Sequence, residues 1–256
     1  MRYASIGSGS EGNGTLVESG SCRLLIDCGF SAKEAVRRLI DLDVEPESIS
    51  AIFVTHAHSD HIKGVALLAE KFQIPVYMTW GTRTSSAHLK REVPQHLLQI
   101  ISPHQDFIIN GITVDPVAVP HDCREPVQFT FSAEAKKLGV LSDAGAITPH
   151  MQRCYERCDA LLLECNHDLT MLENGPYPPS LKRRVAGQFG HLNNEQAAKF
   201  LADVIWDGLE HVVMTHLSKK NNHPEVARDA LVAATQCDAE WIKFADQAEG
   251  LDWQQV

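Results

Sequence analysis

Short runs of apolar and β-branched residues alternate along this chain with longer stretches in which apolar side chains return every three or four positions. The first pattern reads as strand and the second as amphipathic helix. Thr15-Leu16-Val17-Glu18 and Cys22-Arg23-Leu24-Leu25-Ile26 pair across a Ser19-Gly20-Ser21 turn. Ala35, Leu39 and Leu42 line one face of a helix over 31–42, with Ser31 as its N-cap. A buried strand over 51–54 leads to a helix over 62–72, and another strand covers 75–78. Asn110-Gly111 predicts a tight hairpin within 106–119. Strands near 127–132, 137–141, 160–164 and 211–214 follow, with helices near 148–157, 194–205 and 224–235. That order predicts an α/β protein of layered sheets and helices. The sequence holds no internal repeat, low-complexity tract or long linker, so residues 1–256 are expected to form one domain.

Composition narrows the setting. The net charge of −10 argues against a broad basic nucleic-acid-binding surface. It leaves room for a nucleic-acid substrate, because bound divalent cations and a few local basic residues can supply the positive field. Met1-Arg2-Tyr3-Ala4-Ser5-Ile6-Gly7 carries no apolar run of signal-peptide type, and no segment approaches transmembrane length. Seven cysteines lack paired framework spacing, and a cytoplasmic location is expected. Cys154 and Cys158 read as ordinary helix residues, since no second Cys/His pair stands near them to complete a zinc site. The 13 histidines are the unusual feature.

Thr55-His56-Ala57-His58-Ser59-Asp60-His61 follows directly after the buried strand at 51–54. A His-x-His-x-Asp-His string arises by chance in roughly two of a thousand sequences of this composition. His56 and His58, two apart on extended chain, point the same way and can hold one metal. Asp60 and His61, at the turn into a helix, can face a second.

In that segment the chain resembles the metallo-β-lactamase superfamily, whose fold is an αββα four-layer sandwich. The resemblance extends to Asp27 in Leu-Leu-Ile-Asp-Cys-Gly, His121 in Val-Pro-His-Asp, Asp143 in Leu-Ser-Asp-Ala-Gly and His216 in Met-Thr-His-Leu-Ser, in family order. It implies that His56, His58 and His121 hold one metal and Asp60, His61 and His216 a second. Asp143 would join the two, and Asp27 would support the loop. The ligand types suit two divalent ions, Zn²⁺ or Mn²⁺, with Fe²⁺ a further fit. The implied chemistry is hydrolysis by metal-activated hydroxide, with Asp60 orienting the water or taking its proton.

Within the superfamily, Gly190-His191-Leu192-Asn193-Asn194-Glu195 looks like the corresponding region of ribonuclease Z and related phosphodiesterases. That likeness assigns His191 to leaving-group protonation, aided by Glu164 in Leu-Leu-Leu-Glu-Cys-Asn-His. An alkoxide leaving group needs such an acid and a thiolate does not. Ser8-Gly9-Ser10-Glu11-Gly12-Asn13, Glu164-Cys165-Asn166-His167-Asp168 and Leu217-Ser218-Lys219-Lys220-Asn221-Asn222 resemble the YycJ-like (WalJ-like) bacterial proteins, to which 5′-to-3′ exonuclease action on DNA is assigned. This chain departs from them at Asn193, commonly Ser, and at Lys219-Lys220, commonly uncharged or acidic. The backbone amides of the Ser8–Gly14 loop are candidates to meet a phosphate, and Ser8, Ser10, Asn13 and His167 are candidate substrate contacts. Lys182-Arg183-Arg184 and Lys219-Lys220 could steer a phosphate backbone. With no long insertion between Asp143 and His216, an open site is expected. The resulting reading is a two-metal phosphodiesterase acting on DNA. Its rivals are a small-molecule (cyclic) phosphodiesterase, a thioester or lactone hydrolase, and a non-catalytic metal-stabilised scaffold.

Overall fold

In the computed structural model, residues 1–85 and 93–256 are described. Two seven-stranded sheets stack face to face. The first contains β1 (Arg2–Gly7), β2 (Gly14–Ser19), β3 (Cys22–Ile26), β4 (Ala51–Phe53), β5 (Val76–Thr79), β6 (Leu98–Ile101) and, at its edge beside β1, β14 (Leu251–Gln255). The second runs β7 (Phe107–Ile109), β8 (Ile112–Ala118), β9 (Val127–Ala133), β10 (Lys136–Leu141), β11 (Ala160–Glu164), β12 (His211–Thr215) and β13 (Ile242–Phe244). Both sheets repeat one plan. From β14 to β3, and from β7 to β10, the pairings are antiparallel; from β3 to β6, and from β10 to β13, they are parallel. The repetition lies in topology alone, which is why no sequence repeat reports it.

Tyr3, Leu24, Phe53, Phe129, Phe131, Leu162 and Val213 fill the space between the sheets. Helices α1 (Ala32–Asp41) and α3 (Val65–Phe72) cover the outer face of the first sheet, burying Ala35, Leu39, Leu68 and Ala69 with Leu25 and Ile52. Helices α5 (Pro149–Tyr155), α8 (Asn194–Val204) and α9 (Pro224–Thr235) cover the second sheet through Met151, Tyr155, Phe200, Leu201 and Leu231. Shorter helices are α2 (Ser59–Ile62), α4 (Trp80–Ser85), α6 (Leu169–Asn174) and α7 (Pro179–Val185). The result is the expected αββα order, with one apolar layer between sheets and one under each set of helices.

Local chemistry explains the boundaries. The Ser31 hydroxyl accepts from the Glu34 amide and starts α1. Asn110 and Gly111 both adopt positive φ, 46° and 92°, and close the β7–β8 hairpin. Asn193 caps α8 in a reciprocal capping box with Gln196. Serine and asparagine cap equally well, so the departure from the commoner Ser leaves the helix start intact.

The expected helix over 62–72 is instead two pieces. Gly64 donates its amide to the Cys28 carbonyl at 2.8 Å, and this breaks the run between α2 and α3. Cys158 lies beyond the end of α5, buried in the loop before β11, so it is not the helix residue expected. Strands β1, β6, β13 and β14 and helices α6 and α7 were not legible. Among the described residues, no helix is long and apolar enough to cross a membrane. His88, to which the sequence assigned no function, lies outside the described residues.

Candidate metal centre

Most site residues stand just past the end of a strand that has a parallel neighbour. Asp27 follows β3, His56 to His61 follow β4, Asp143 follows β10, Glu164 closes β11 and His216 follows β12. His121 sits in the β8–β9 loop. In layered α/β folds this edge is where ligands gather. Asp27, Asp143 and His216 all take left-handed backbone, with φ of 62°, 50° and 54°. That conformation is costly for residues with a Cβ, and here it turns each side chain off its strand end toward a common centre.

The His-rich loop is held from below. Asp27 accepts from the Thr55 amide at 2.9 Å, the Thr55 hydroxyl at 2.7 Å and His61 Nδ1 at 2.7 Å. The Cys28 amide donates to the His61 carbonyl at 2.8 Å. Gly29 packs so closely that a Cβ there would come within 1.7 Å of the Asp60 carbonyl oxygen, so only glycine fits. With its Nδ1 bonded to a buried carboxylate, His61 presents Nε2 inward.

Two clusters of donor atoms result. In one, His58 Nδ1 lies 3.0 Å from His56 Nε2 and 3.2 Å from His121 Nε2. In the other, His61 Nε2 is 3.6 Å from Asp60 Oδ2 and 3.2 Å from Asp143 Oδ2. His216 Nε2 is 3.6 Å from Asp60 Oδ2 and 3.5 Å from Asp143 Oδ1, buried and without a hydrogen-bond partner. Asp143 faces both clusters, its Oδ1 being 3.9 Å from His121 Nε2. Ligand atoms held about 2.0–2.2 Å from a shared cation stand roughly 3.0–3.6 Å apart, so these spacings fit one ion per cluster.

Charge supports the same fit. Burial, with neighbouring imidazoles, pushes the pKa of His56 well below the ordinary histidine value, and burial lowers His58 and His121 likewise. These rings are neutral, the form that binds metal. Burial opposes charge on His61 and His216 too, but the surrounding carboxylates together outweigh it (Asp143, Asp27 and Asp60 for His61; Asp143, Asp60 and Glu164 for His216), raising His61 to about 9 and His216 well above the ordinary value. The ionised carboxylates there favour protons on the His61 and His216 rings, and a cation would take the place of those protons.

His191 and Glu164 form the next shell. Glu164 is fully buried and accepts from His191 Nδ1 at 2.7 Å and from the Ala144 and Leu192 amides, each at 3.1 Å. His191, partly exposed, lines a cleft of about 340 Å³ together with Asp60, Asp143 and His216. Helix α7 walls one side of this cleft with Leu181, Arg184 and Val185, joined by Tyr177. The interval between Asp143 and His216, expected to leave the site open, therefore supplies a wall.

The four candidate substrate contacts separate. Ser10 is exposed at the cleft. Ser8 is buried, and its hydroxyl accepts the His216 amide at 2.9 Å. Asn13 is also buried, with Nδ2 3.2 Å from the Asp60 carbonyl and 3.2 Å from His61 Nε2. Both brace candidate ligands. His167 is wholly buried, with Nδ1 3.3 Å from Asn166 Oδ1, and does not border the cleft. Five of the loop amides expected to meet a phosphate are used internally: Ser8 on Asp246, Gly9 on Asn13, Glu11 on Gln247, Gly12 on Gly9 and Asn13 on Asp60. Of the basic clusters, Arg184 reaches the cleft and pairs with Asp122, while Lys219 pairs with Glu11. Sequence reading passed over Thr55, Asn166 and Asp122. Each neighbours a motif residue, but nothing in a sequence alone separates such neighbours from linkers.

Comparison with known proteins agrees with this architecture. A family model described as the beta-lactamase superfamily domain matches residues 22–217. Exodeoxyribonuclease YycJ of Bacillus anthracis is 37% identical over 230 residues, covering 89% of this chain and 86% of that protein. Exodeoxyribonuclease WalJ of Streptococcus pneumoniae is 32% identical over 235 residues, 91% of this chain and 87% of its own. The metallo-beta-lactamase fold protein YhfI from Bacillus subtilis superposes with a TM-score of 0.77 at 18% identity, over 100% of this chain and 99% of that one. The chain belongs to the beta-lactamase superfamily. It is a metal-dependent hydrolase.

Proposed function

We propose that this hydrolase is a two-metal phosphodiesterase that shortens DNA from an end. His56, His58 and His121 hold one cation, Asp60, His61 and His216 the other, and Asp143 lies between them. Held there, the cations would supply activation of a water and neutralisation of the charge that builds on the phosphate. Asp60, half-buried at the cleft, orients the water and takes its proton. As the water oxygen bonds to phosphorus and the far P–O bond breaks, His191 gives its proton to the departing oxygen. Products are a nucleotide and a shortened strand.

The His191–Glu164 pair is the observation that carries this reading. With Nδ1 committed to Glu164, the ring has Nε2 left for the cleft it lines. Glu164 fixes the tautomer and offsets the imidazolium charge. A poor alkoxide leaving group requires such a group, whereas a thiolate does not. The two exodeoxyribonuclease relatives favour DNA as the polymer. All seven cysteines are free, as fits action in a reducing cytoplasm. The cleft of about 340 Å³ admits one nucleotide-sized unit, so a small cyclic diester is the second reading. Giving metal-loaded protein linear duplex DNA beside a small chromogenic diester separates the two. Degraded DNA supports the proposal, and hydrolysed diester with intact DNA overturns it.

A further inference from the structure

A second groove, of about 590 Å³, leaves the candidate metal centre on the other side of His58 and Asp122. His58 and His121 form part of its lining, with Arg124 and Phe189. Phe189 is 60% exposed. A lone exposed phenylalanine is ordinary on a protein surface; the way this one is held is not. The next residue, Gly190, donates its amide to the Gly187 carbonyl at 2.8 Å and accepts from His121 Nδ1 at 2.9 Å. Gly190 is pressed against the preceding helix, where a Cβ would come within 2.2 Å of the Arg184 and Val185 carbonyl oxygens. His191 follows, donating its amide to the Val185 carbonyl at 2.9 Å and its ring to Glu164. The backbone beside Phe189 is therefore fixed, and it presents an apolar ring to solvent two positions from the proposed acid.

We infer that Phe189 is a stacking platform for a nucleobase next to the scissile phosphodiester, with Arg124 of the same groove meeting the adjoining phosphate. The inference rests on the nucleic-acid reading above and adds a binding residue to it. An aromatic face accepts any base, so the contact favours polynucleotide over other diesters without reading sequence. Fixing in advance the backbone beside the ring reduces part of the ordering cost of binding. The exposed arginine in the groove suits a nucleotide chain better than an acyl ligand.

The test is a cycle of protein and substrate changes. Single-stranded oligonucleotides carry one abasic residue, moved stepwise from the labelled end, and kcat/KM is measured for wild type, Phe189→Ala and Phe189→Tyr. In wild type, the abasic residue at one position is expected to lower kcat/KM about tenfold. In Phe189→Ala the same change has little further effect, and Phe189→Tyr restores the sensitivity. A phosphorothioate oligonucleotide with 5-iododeoxyuridine at that position is expected to photo-cross-link to wild-type Phe189. Equal abasic losses in wild type and Phe189→Ala, with no adduct at Phe189, would overturn the inference while DNA cleavage leaves the nuclease reading standing. Absence of both DNA cleavage and cross-linking would overturn both.

Discussion

His61 Nδ1 lies 2.7 Å from the buried carboxylate of Asp27, which also accepts two hydrogen bonds from Thr55. One carboxylate thus orients a candidate ligand, His61, and fixes the start of the loop that carries three others. Asp27→Asn keeps the shape but removes the charge behind His61, and metal affinity is expected to fall 10–100-fold. Asp27→Ala also leaves the Thr55 donors unpaired, at a cost of about 1–3 kcal/mol. Chelator competition and thermal unfolding check the two effects. Unchanged metal retention in both variants would show that Asp27 does not act through His61.

The His191–Glu164 pair makes a prediction about substrates. His191→Ala should lower kcat on a phosphodiester by about 10²-fold or more, with little change on a thioester. Glu164→Gln should lower it in the same direction, because a neutral amide neither fixes the proton on Nδ1 nor offsets its charge. Equal losses on both substrate types would point to a structural part for His191.

Stripping the cations should loosen the site. His216 Nε2 would be left buried without a partner, and like-facing imidazoles would lose what holds them together. Chelated protein is expected to melt several degrees lower and to recover with Zn²⁺ or Mn²⁺, since an ion bound only by the folded state stabilises it. Identical melting with and without chelator would contradict the fit.

Glu34 provides a pH test away from the site. Hydrogen bonds from Arg37 and then Arg38 hold its carboxyl at about 2, below the ordinary 4.5. Because the folded value is lowered, its contribution is complete above the ordinary value and is lost as pH falls from 4.5 toward 2. The pairs are largely exposed, so the contribution is under about 1 kcal/mol. The stability difference between wild type and Glu34→Gln should be constant above pH ~5.5 and close as acid is added. A difference independent of pH would rule out the ion pairs as its source.

What could be read from the sequence follows from how local its cause is. Ser31 and Asn110-Gly111 announce their elements through short-range chemistry, and β11 and α9 are found at their expected residues. Strand β14 pairs with β1, more than two hundred residues away, and its Leu251-Asp252-Trp253-Gln254 alternation is too short to mark a strand by itself. Helix α7 has no buried residue and so no apolar stripe, yet it forms the wall of the cleft. The candidate ligands were legible because their chemistry fixes both residue type and spacing. Ser8, Asn13 and His167 were assigned to substrate because polar residues near a motif look alike in sequence; only burial separates braces from contacts.

The central claim is tested most directly by following end-labelled linear duplex DNA, single-stranded DNA and RNA over time, with and without Mn²⁺, beside an Asp60→Ala, His61→Ala protein. Metal-dependent shortening of DNA from one end, absent in the double variant, is the predicted result. No cleavage of any polymer by fully metal-loaded wild type would contradict it.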